Sequence, residues 1–346
     1  MNSSVKYIQF DFATRSNEEI RQLALKYSNE SRSWVKKCAD LILEWFNTED
    51  FINAQSSGTT GIPKEFKIQK DKIIASSKLT AQAFDLKKGS SVLLCLSTDF
   101  IAGKMMVARS EVNRWNLYAV EPSANPLNDI DLNLDFAAFV PNQVFEILSS
   151  PSNLKINNIK KIIIGGGEIN SALKSLLKDT TSEVYQTFGM TETVSHIAIK
   201  QIRPIEEEYY KALPGIHFEV DRDGCLIIHA PQLNQNAFFT KDCVEIIDKT
   251  SFQWLGRFDN IINSGAVKLN PEAIEQKIRS RITNEFIVSS IPDDKLINKL
   301  ILLVEGTATI NLSEINNVLD RYEQLREVKF ISEFPRTASG KIIRKF

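Results

Sequence analysis

The sequence predicts an α/β fold: a layered α/β domain followed by a second unit that repeats the same logic at smaller scale. Three observations carry this. Short runs that are apolar on both faces (SSVLLCL, FAAFV, KKIIIG) alternate with stretches of helical period, as buried strands between helices do. The texture changes near Ile205, and the stretch after Trp254 is rich in turn residues. A length of 346 residues is enough for two domains with full cores.

Taken in order, the elements justify themselves locally. Ser16, with Glu19 three residues on, can close a capping box, and Ile20, Leu23, Ala24 and Tyr27 then line one helical face. A second amphipathic helix follows, with Trp34, Val35, Cys38, Leu41, Ile42 and Trp45. Strands are expected to end near Leu96, Val120, Val140 and Gly165. A helix is expected from about Ser171 and another strand around Val184. The stretch IEEEYYKALPG reads as a surface connection. GIHFEV and CLIIHA, joined through Asp223–Gly224, read as a β-hairpin. In the tail, Pro271 opens a helix, FIVSSI and KLILLVE are strands, Asn311 caps a helix with Glu314 at its third position, and VKFISEF is a last strand.

Composition narrows the class. Acidic residues number 43 and basic residues 42, for a net charge of −1. That balance argues against a nucleic-acid partner held by a basic field. The four cysteines are scattered with no C-x-x-C pair, which fits a reducing compartment rather than a disulfide framework or zinc cluster. The start has no apolar signal segment and no run approaches the length of a membrane span, so a cytoplasmic protein without membrane insertion is expected. No G-x-S-x-G elbow supports a Ser–His–Asp nucleophile, and no G-x-G-x-x-G supports a nicotinamide site. His217 and His229 read as structural members of the hairpin.

Three motifs carry chemistry. In SSGTTGIPK, set between candidate helix and strand segments, Gly58 and Gly61 can turn backbone N–H groups inward, Ser57, Thr59 and Thr60 add hydroxyls, and Lys64 adds a positive charge. The set suits phosphate oxygens as well as it suits a surface turn. It is not a Walker A loop, because Pro63 and Glu65 flank the lysine. In QTFGMTET, a glycine turn presents Thr191 and Glu192 beyond a strand end, where open α/β sheets bind ligands. Glu192 can ligate Mg²⁺, a hard cation that also bridges nucleotide phosphates; a plain helix cap is the competing reading. In PRTASGKIIRKF, Lys341 follows a Ser339–Gly340 turn in a cationic tail.

In this order the three motifs resemble those of the adenylate-forming superfamily of acyl-CoA synthetases, luciferases and peptide-synthetase adenylation domains. SSGTTGIPK matches its [ST]SGTTGxPK loop, FGMTE its [YF]GxTE turn, and PRTASGKIIR its closing PxTxxGKIxR. FFTKD and GRFDNIINSGAVKLNPEAIE match its ribose and hinge segments. The GMTETVSHIA run and the short format resemble most the o-succinylbenzoate–CoA ligases of menaquinone synthesis.

The resemblance implies an adenylate-forming fold with a shortened large N-terminal domain, residues 1–258, and a small mobile α+β C-terminal domain, residues 259–346, hinged at Asp259. It implies an AMP-forming acid–thiol ligase using ATP and Mg²⁺, with CoA as co-substrate and a small aromatic dicarboxylate as substrate. A homodimer is the protein–protein association it leaves open. Ser57, Thr59, Thr60 and Lys64 would grip phosphates. Gly165, Gly166, Gly167 and Glu168 would border adenine and the acyl pocket, with Phe188 and Gly189 alongside. Thr191 would meet the α-phosphate and Glu192 the metal. Asp242 and Arg257 would take the ribose, and Lys341 would be the adenylation lysine. His196, Lys104 and Arg109 are acyl-pocket candidates, the last two for a distal carboxylate, against the reading that they are solvated helix charges. Three departures stand out: TKD replaces TGD at Thr240–Asp242, Gly265-Ala266 replaces a glycine pair, and LSTDFIAGKMMVARS lacks the family's histidine. Ligation of another aryl or fatty acid, and a non-enzymatic module that kept the fold, are the alternatives.

Overall fold

The structure, a computed structural model, describes residues 6–55, 65–265, 267–336 and 342–344. The chain divides into two compact units. The first holds residues up to Ile169, Leu173–Ile216 and Ala230–Phe238. The second holds Asn170–Ala172, His217–His229 and Phe239–Phe346.

The first unit is the expected layered α/β structure. Its strands run, in spatial order, Ile8–Asp11, Asn116–Ala119, Ser91–Leu94, Leu134–Phe139, Ile159–Ile164, Glu183–Gly189, His196–Arg203 and Tyr210–Ala212. The five from Asn116–Ala119 to Glu183–Gly189 are parallel, and antiparallel strands flank them. Ser91–Leu94 sits between the strand that follows it and Leu134–Phe139, so the winding reverses there. Its alternation shows why the strand runs are apolar throughout. Val92 and Leu94 enter a core with Phe10, Ile20, Val35, Ile42 and Trp115, while Leu93 enters a core on the other face with Phe139, Val144, Ile147 and Ile162.

The local readings of the N-terminal helices hold. Ser16 caps Asn17–Tyr27: its side chain accepts from the Glu19 amide at 3.3 Å, and the Glu19 carboxylate accepts from the Ser16 amide at 2.8 Å. Two expectations are corrected. IEEEYYKALPG is not wholly a surface connection: Tyr210–Ala212 pairs with the His196–Arg203 strand, because burying the Tyr210 ring repays the ordering. SSGTTGIPK joins two strands rather than a helix and a strand. Phe51–Gln55 and Glu65–Gln69 pair antiparallel, with Asn53 opposite Lys67; residues 56–64 themselves lie outside the described residues.

The second unit is α+β. Four strands, Ser251–Arg257, Phe238–Asp248, Cys225–His229 and His217–Val220, lie in that order. The predicted hairpin is present, with Phe218 opposite Ile228, and Gly224 turns at φ +77°. A three-stranded sheet follows, Phe286–Asp293, Ile297–Glu305 and Glu327–Ile331, whose Val288, Leu302 and Val304 pack with Ile274 and Ile278 of helix Pro271–Ile278. Asn270 and Asn311 cap helices Pro271–Ile278 and Leu312–Asn316 with their side chains. The four cysteines are buried and free. Among the described residues no helix is long and apolar enough to cross a membrane.

Candidate active site

Two of the sequence motifs meet at the carboxyl ends of neighbouring parallel strands. Ile159–Ile164 and Glu183–Gly189 pair with Ile164 opposite Gln186. The first runs out into Gly165–Glu168 and the second into Met190–Ser195, so the glycine run and the FGMTE turn lie side by side. Thr187 ties them, donating its hydroxyl to the Ile164 carbonyl at 3.3 Å. Gly166 has φ +80°, a conformation that favours glycine, and the exposed Glu168 follows.

The 189–195 turn is stitched by its own residues. Thr193 is fully buried; its hydroxyl accepts from the Met190 amide at 3.0 Å and reaches the Ser195 carbonyl at 2.8 Å. The Val194 amide donates to the Thr191 carbonyl at 3.0 Å. Val194 itself takes a left-handed φ of +65° while its side chain is buried, so packing holds it there. Gly189 is required by close approach: a Cβ there would lie 2.4 Å from the Ser195 carbonyl oxygen. The effect is to project two groups with no internal work to do. Among the described residues neither the Thr191 hydroxyl nor the exposed Glu192 carboxylate has a hydrogen-bond or ion-pair partner in the protein. One carboxylate beside a hydroxyl fits Mg²⁺ carried in on phosphates, which completes its shell with substrate oxygens and water.

Phe188, at the end of its strand, lies 5.6 Å from the Tyr210 ring, and the Lys200 ammonium stands 4.9 Å from the centre of that same ring. Burial, with Lys174 nearby, lowers the Lys200 pKa. Neither Lys200 nor Tyr210 was legible as a site residue; both sit on strands that pattern alone did not mark.

The acyl-pocket candidates separate. Lys104 and Arg109 share helix Ile101–Val112 but face different surroundings. Lys104 lines a cavity of about 170 Å³ with Lys37, Leu41, Glu44, Thr98 and Asp99, and burial lowers its pKa. Lys37 pairs with Asp99 there at 2.6 Å. Arg109 is no solvated helix charge: it is 2% exposed and donates to Ser195 Oγ at 2.6 Å and to His196 Nδ1 at 3.3 Å. His196 is buried too, and burial, reinforced by Arg109, holds its pKa well below the ordinary 6.5.

The flanks of the phosphate-loop motif lie close to the turn. Ile52, Ala54 and Ile68 of its hairpin share one core with Val194 and with Met105 and Ala108 of helix Ile101–Val112. Ser57, Thr59, Thr60 and Lys64, like Lys341, fall outside the described residues.

In the second unit, Asp242 and Arg257 stand opposite each other on paired strands. The Asp242 carboxylate, 14% exposed, accepts from Arg257 Nη1 at 3.3 Å and from the Trp254 indole N–H at 3.0 Å. Arg257 Nη2 reaches Asp259 at 3.2 Å. One guanidinium therefore bridges the expected ribose carboxylate and the expected hinge aspartate. Trp254 was missed by sequence reasoning, since its twelve-residue separation from Asp242 is set by a bulged hairpin register.

A family model described as AMP-binding enzyme matches residues 26–223. The 2-succinylbenzoate–CoA ligase of Lactococcus lactis is 26% identical over 317 residues, covering 84% of this chain and 69% of that protein. That of Listeria monocytogenes is 22% identical, covering 84% and 68%. A crystal structure of an acyl-CoA synthetase (AMP-forming)/AMP-acid ligase II-like protein from Dyadobacter fermentans is 34% identical, covers 97% of each chain and superposes with a TM-score of 0.67. The o-succinylbenzoate coenzyme A synthetase of Bacillus subtilis, solved with ATP and magnesium ion, has a TM-score of 0.69 at 20% identity, covering 84% of this chain and 68% of that one, a likeness of fold.

Proposed function

The chain belongs to the AMP-binding enzyme family, and from that premise we propose that it joins o-succinylbenzoate, a small aromatic dicarboxylate, to coenzyme A at the expense of ATP, in menaquinone synthesis. In the first half-reaction a carboxylate oxygen attacks the α-phosphorus and the bond to pyrophosphate breaks. In the second, the CoA thiol displaces AMP from the acyl-adenylate. The observation that carries the reading is the tied turn whose Thr191 hydroxyl and Glu192 carboxylate have no partner among the described residues.

Two anions must meet in the first step, so the chain has to supply positive charge and hydrogen-bond donors where negative charge gathers. Thr191 donates to an α-phosphate oxygen. Glu192 would hold Mg²⁺, whose charge would offset that of phosphate oxygens. Phe188, Gly189 and the Gly165–Glu168 turn border the base and the acyl group, and Ser57, Thr59, Thr60 and Lys64 take the outgoing phosphates. Asp242 accepts the ribose hydroxyls with Arg257 beside it, and Lys341 bridges carboxylate and α-phosphate. Asp259 is the hinge about which the small domain exchanges the lysine for the thiol. Lys104 stands ready for the distal carboxylate.

The relatives named for 2-succinylbenzoate support the aromatic dicarboxylate over other acids. The test is pyrophosphate release over a panel of acids, with wild type and Glu192→Gln. Turnover with o-succinylbenzoate that needs Glu192 is expected; turnover with benzoate or fatty acids and none with o-succinylbenzoate overturns the narrow assignment.

A further inference from the structure

Arg109 stands apart from the other cations of the first unit. Its guanidinium is buried, its Nε has no hydrogen-bond partner, and among the described residues no carboxylate pairs with it. A guanidinium that has lost its water without gaining a counter-ion is costly. An apolar side chain of similar length would fill the same space at less cost, so the position calls for what the charge holds.

What it holds is the end of the turn. Its Nη2 donates to Ser195 Oγ and His196 Nδ1, the two residues that follow Thr193 and Val194. The Gly189 backbone packs on the same pair, where a Cβ would lie 2.6 Å from the His196 Cα. Because His196 Nδ1 accepts from Arg109, its proton sits on Nε2, which faces Thr80 Oγ1 at 3.5 Å; that hydroxyl donates to the Ser76 carbonyl at 3.2 Å. The hydrogen bonds thus run from helix Ile101–Val112 through the turn to helix Lys70–Ala83. The same helix Ile101–Val112 packs Met105 and Ala108 against Val194 and the 51–69 hairpin.

We propose that Arg109 is a positioning residue for the Thr191–Glu192 turn: its buried guanidinium clamps Ser195 and His196 and so places the hydroxyl and carboxylate that meet phosphate and magnesium. The inference rests on the proposed function of that turn.

The experiment compares full-length wild type with Arg109→Met and Arg109→Lys. Without ligand, hydrogen exchange is followed in the peptide covering 189–196. With ligand, MgATP binding is measured by calorimetry, and half-saturating MgATP, Mg²⁺ and CoA by pyrophosphate release and thioester formation. Arg109→Met is expected to speed exchange in that peptide selectively. It is also expected to raise half-saturating MgATP and Mg²⁺ about tenfold or more, the scale on which small misplacements act, without moving that of CoA. Arg109→Lys restores part of both. A purely structural arginine would lower Tm and the active fraction, scaling kcat while leaving the half-saturating concentrations and the local exchange as in wild type, and that result overturns the inference. If Arg109→Met does not fold, Ser195→Ala removes one acceptor of the clamp and must shift the same quantities in the same direction; no shift overturns it equally. Wild type that binds no MgATP would instead sink the reading of the turn.

Discussion

Two threonines two residues apart should respond oppositely to the same change. Thr193→Val and Thr191→Val each swap a hydroxyl for a methyl of similar size. Thr193 is fully buried, and its hydroxyl serves the Met190 amide at 3.0 Å and the Ser195 carbonyl at 2.8 Å. Valine strands both groups inside the turn. The loss of a buried hydrogen bond together with an unsatisfied partner amounts to about 2–3 kcal/mol. For a unit of this size that lowers Tm on the order of 5–10 °C. The Thr191 hydroxyl has no protein partner among the described residues, so Thr191→Val should change stability by under about 0.5 kcal/mol. Its cost should appear only with nucleotide. A hydrogen bond to a charged phosphate is worth about 1.5–3 kcal/mol, or roughly 10–100-fold in MgATP affinity. Calorimetric unfolding of both variants, with and without MgATP, reads both numbers. If Thr191→Val unfolds as early as Thr193→Val, or if Thr193→Val leaves Tm unchanged, the division between a stitching and a presenting threonine is wrong.

Further predictions concern the supports around the site. Gly189→Ala forces a Cβ to within 2.4 Å of the Ser195 carbonyl oxygen; it should destabilise by about 1–3 kcal/mol and lower adenylation, and wild-type Tm and rate would contradict the packing. Trp254→Phe removes the 3.0 Å indole bond that orients Asp242; nucleotide binding should weaken about fivefold with little loss of stability, measured by titration calorimetry, and Asp242→Asn should weaken it more. His196 gives a pH signature. Its pKa in the folded state is depressed by burial and Arg109, so below about pH 6.5 the unfolded chain takes up a proton that the folded one refuses, and stability falls as pH falls through that window. His196→Asn, which keeps an acceptor for Arg109, should flatten that part of the profile in urea titrations; an unchanged slope would assign the acid sensitivity to other groups.

The legible part of this protein is the part written at short range. Ser16 and Glu19 announce a capping box because both partners lie within one helical turn. The strand runs announce buried strands because both faces of a covered sheet must be apolar. Asp223–Gly224 announces its hairpin because only a few residues adopt that turn. Gly189, Thr191 and Glu192 are legible for the same reason: a turn at a strand end needs its glycine next to the groups it displays. Gly166 is legible only through the resemblance of its glycine run to the family's.

Other elements were closed to such reading. Tyr210–Ala212 is too short to carry a pattern and becomes a strand only because His196–Arg203 is there to pair with it. Trp254 finds Asp242 through a bulged strand register. Arg109 is the sharpest case. On its helix it directly follows the apolar run Met105–Ala108, and nothing within a turn of it says that Ser195 and His196, more than eighty residues later, will close over it. The sequence by itself determined the order of elements and the chemistry held by adjacent residues, since propensity, capping and turn geometry are set by neighbours along the chain. Which charges lose their water, and which side chains hold the reactive turn in place, was decided only by tertiary structure, because burial and hydrogen-bond partnership depend on atoms that the chain brings together from far away.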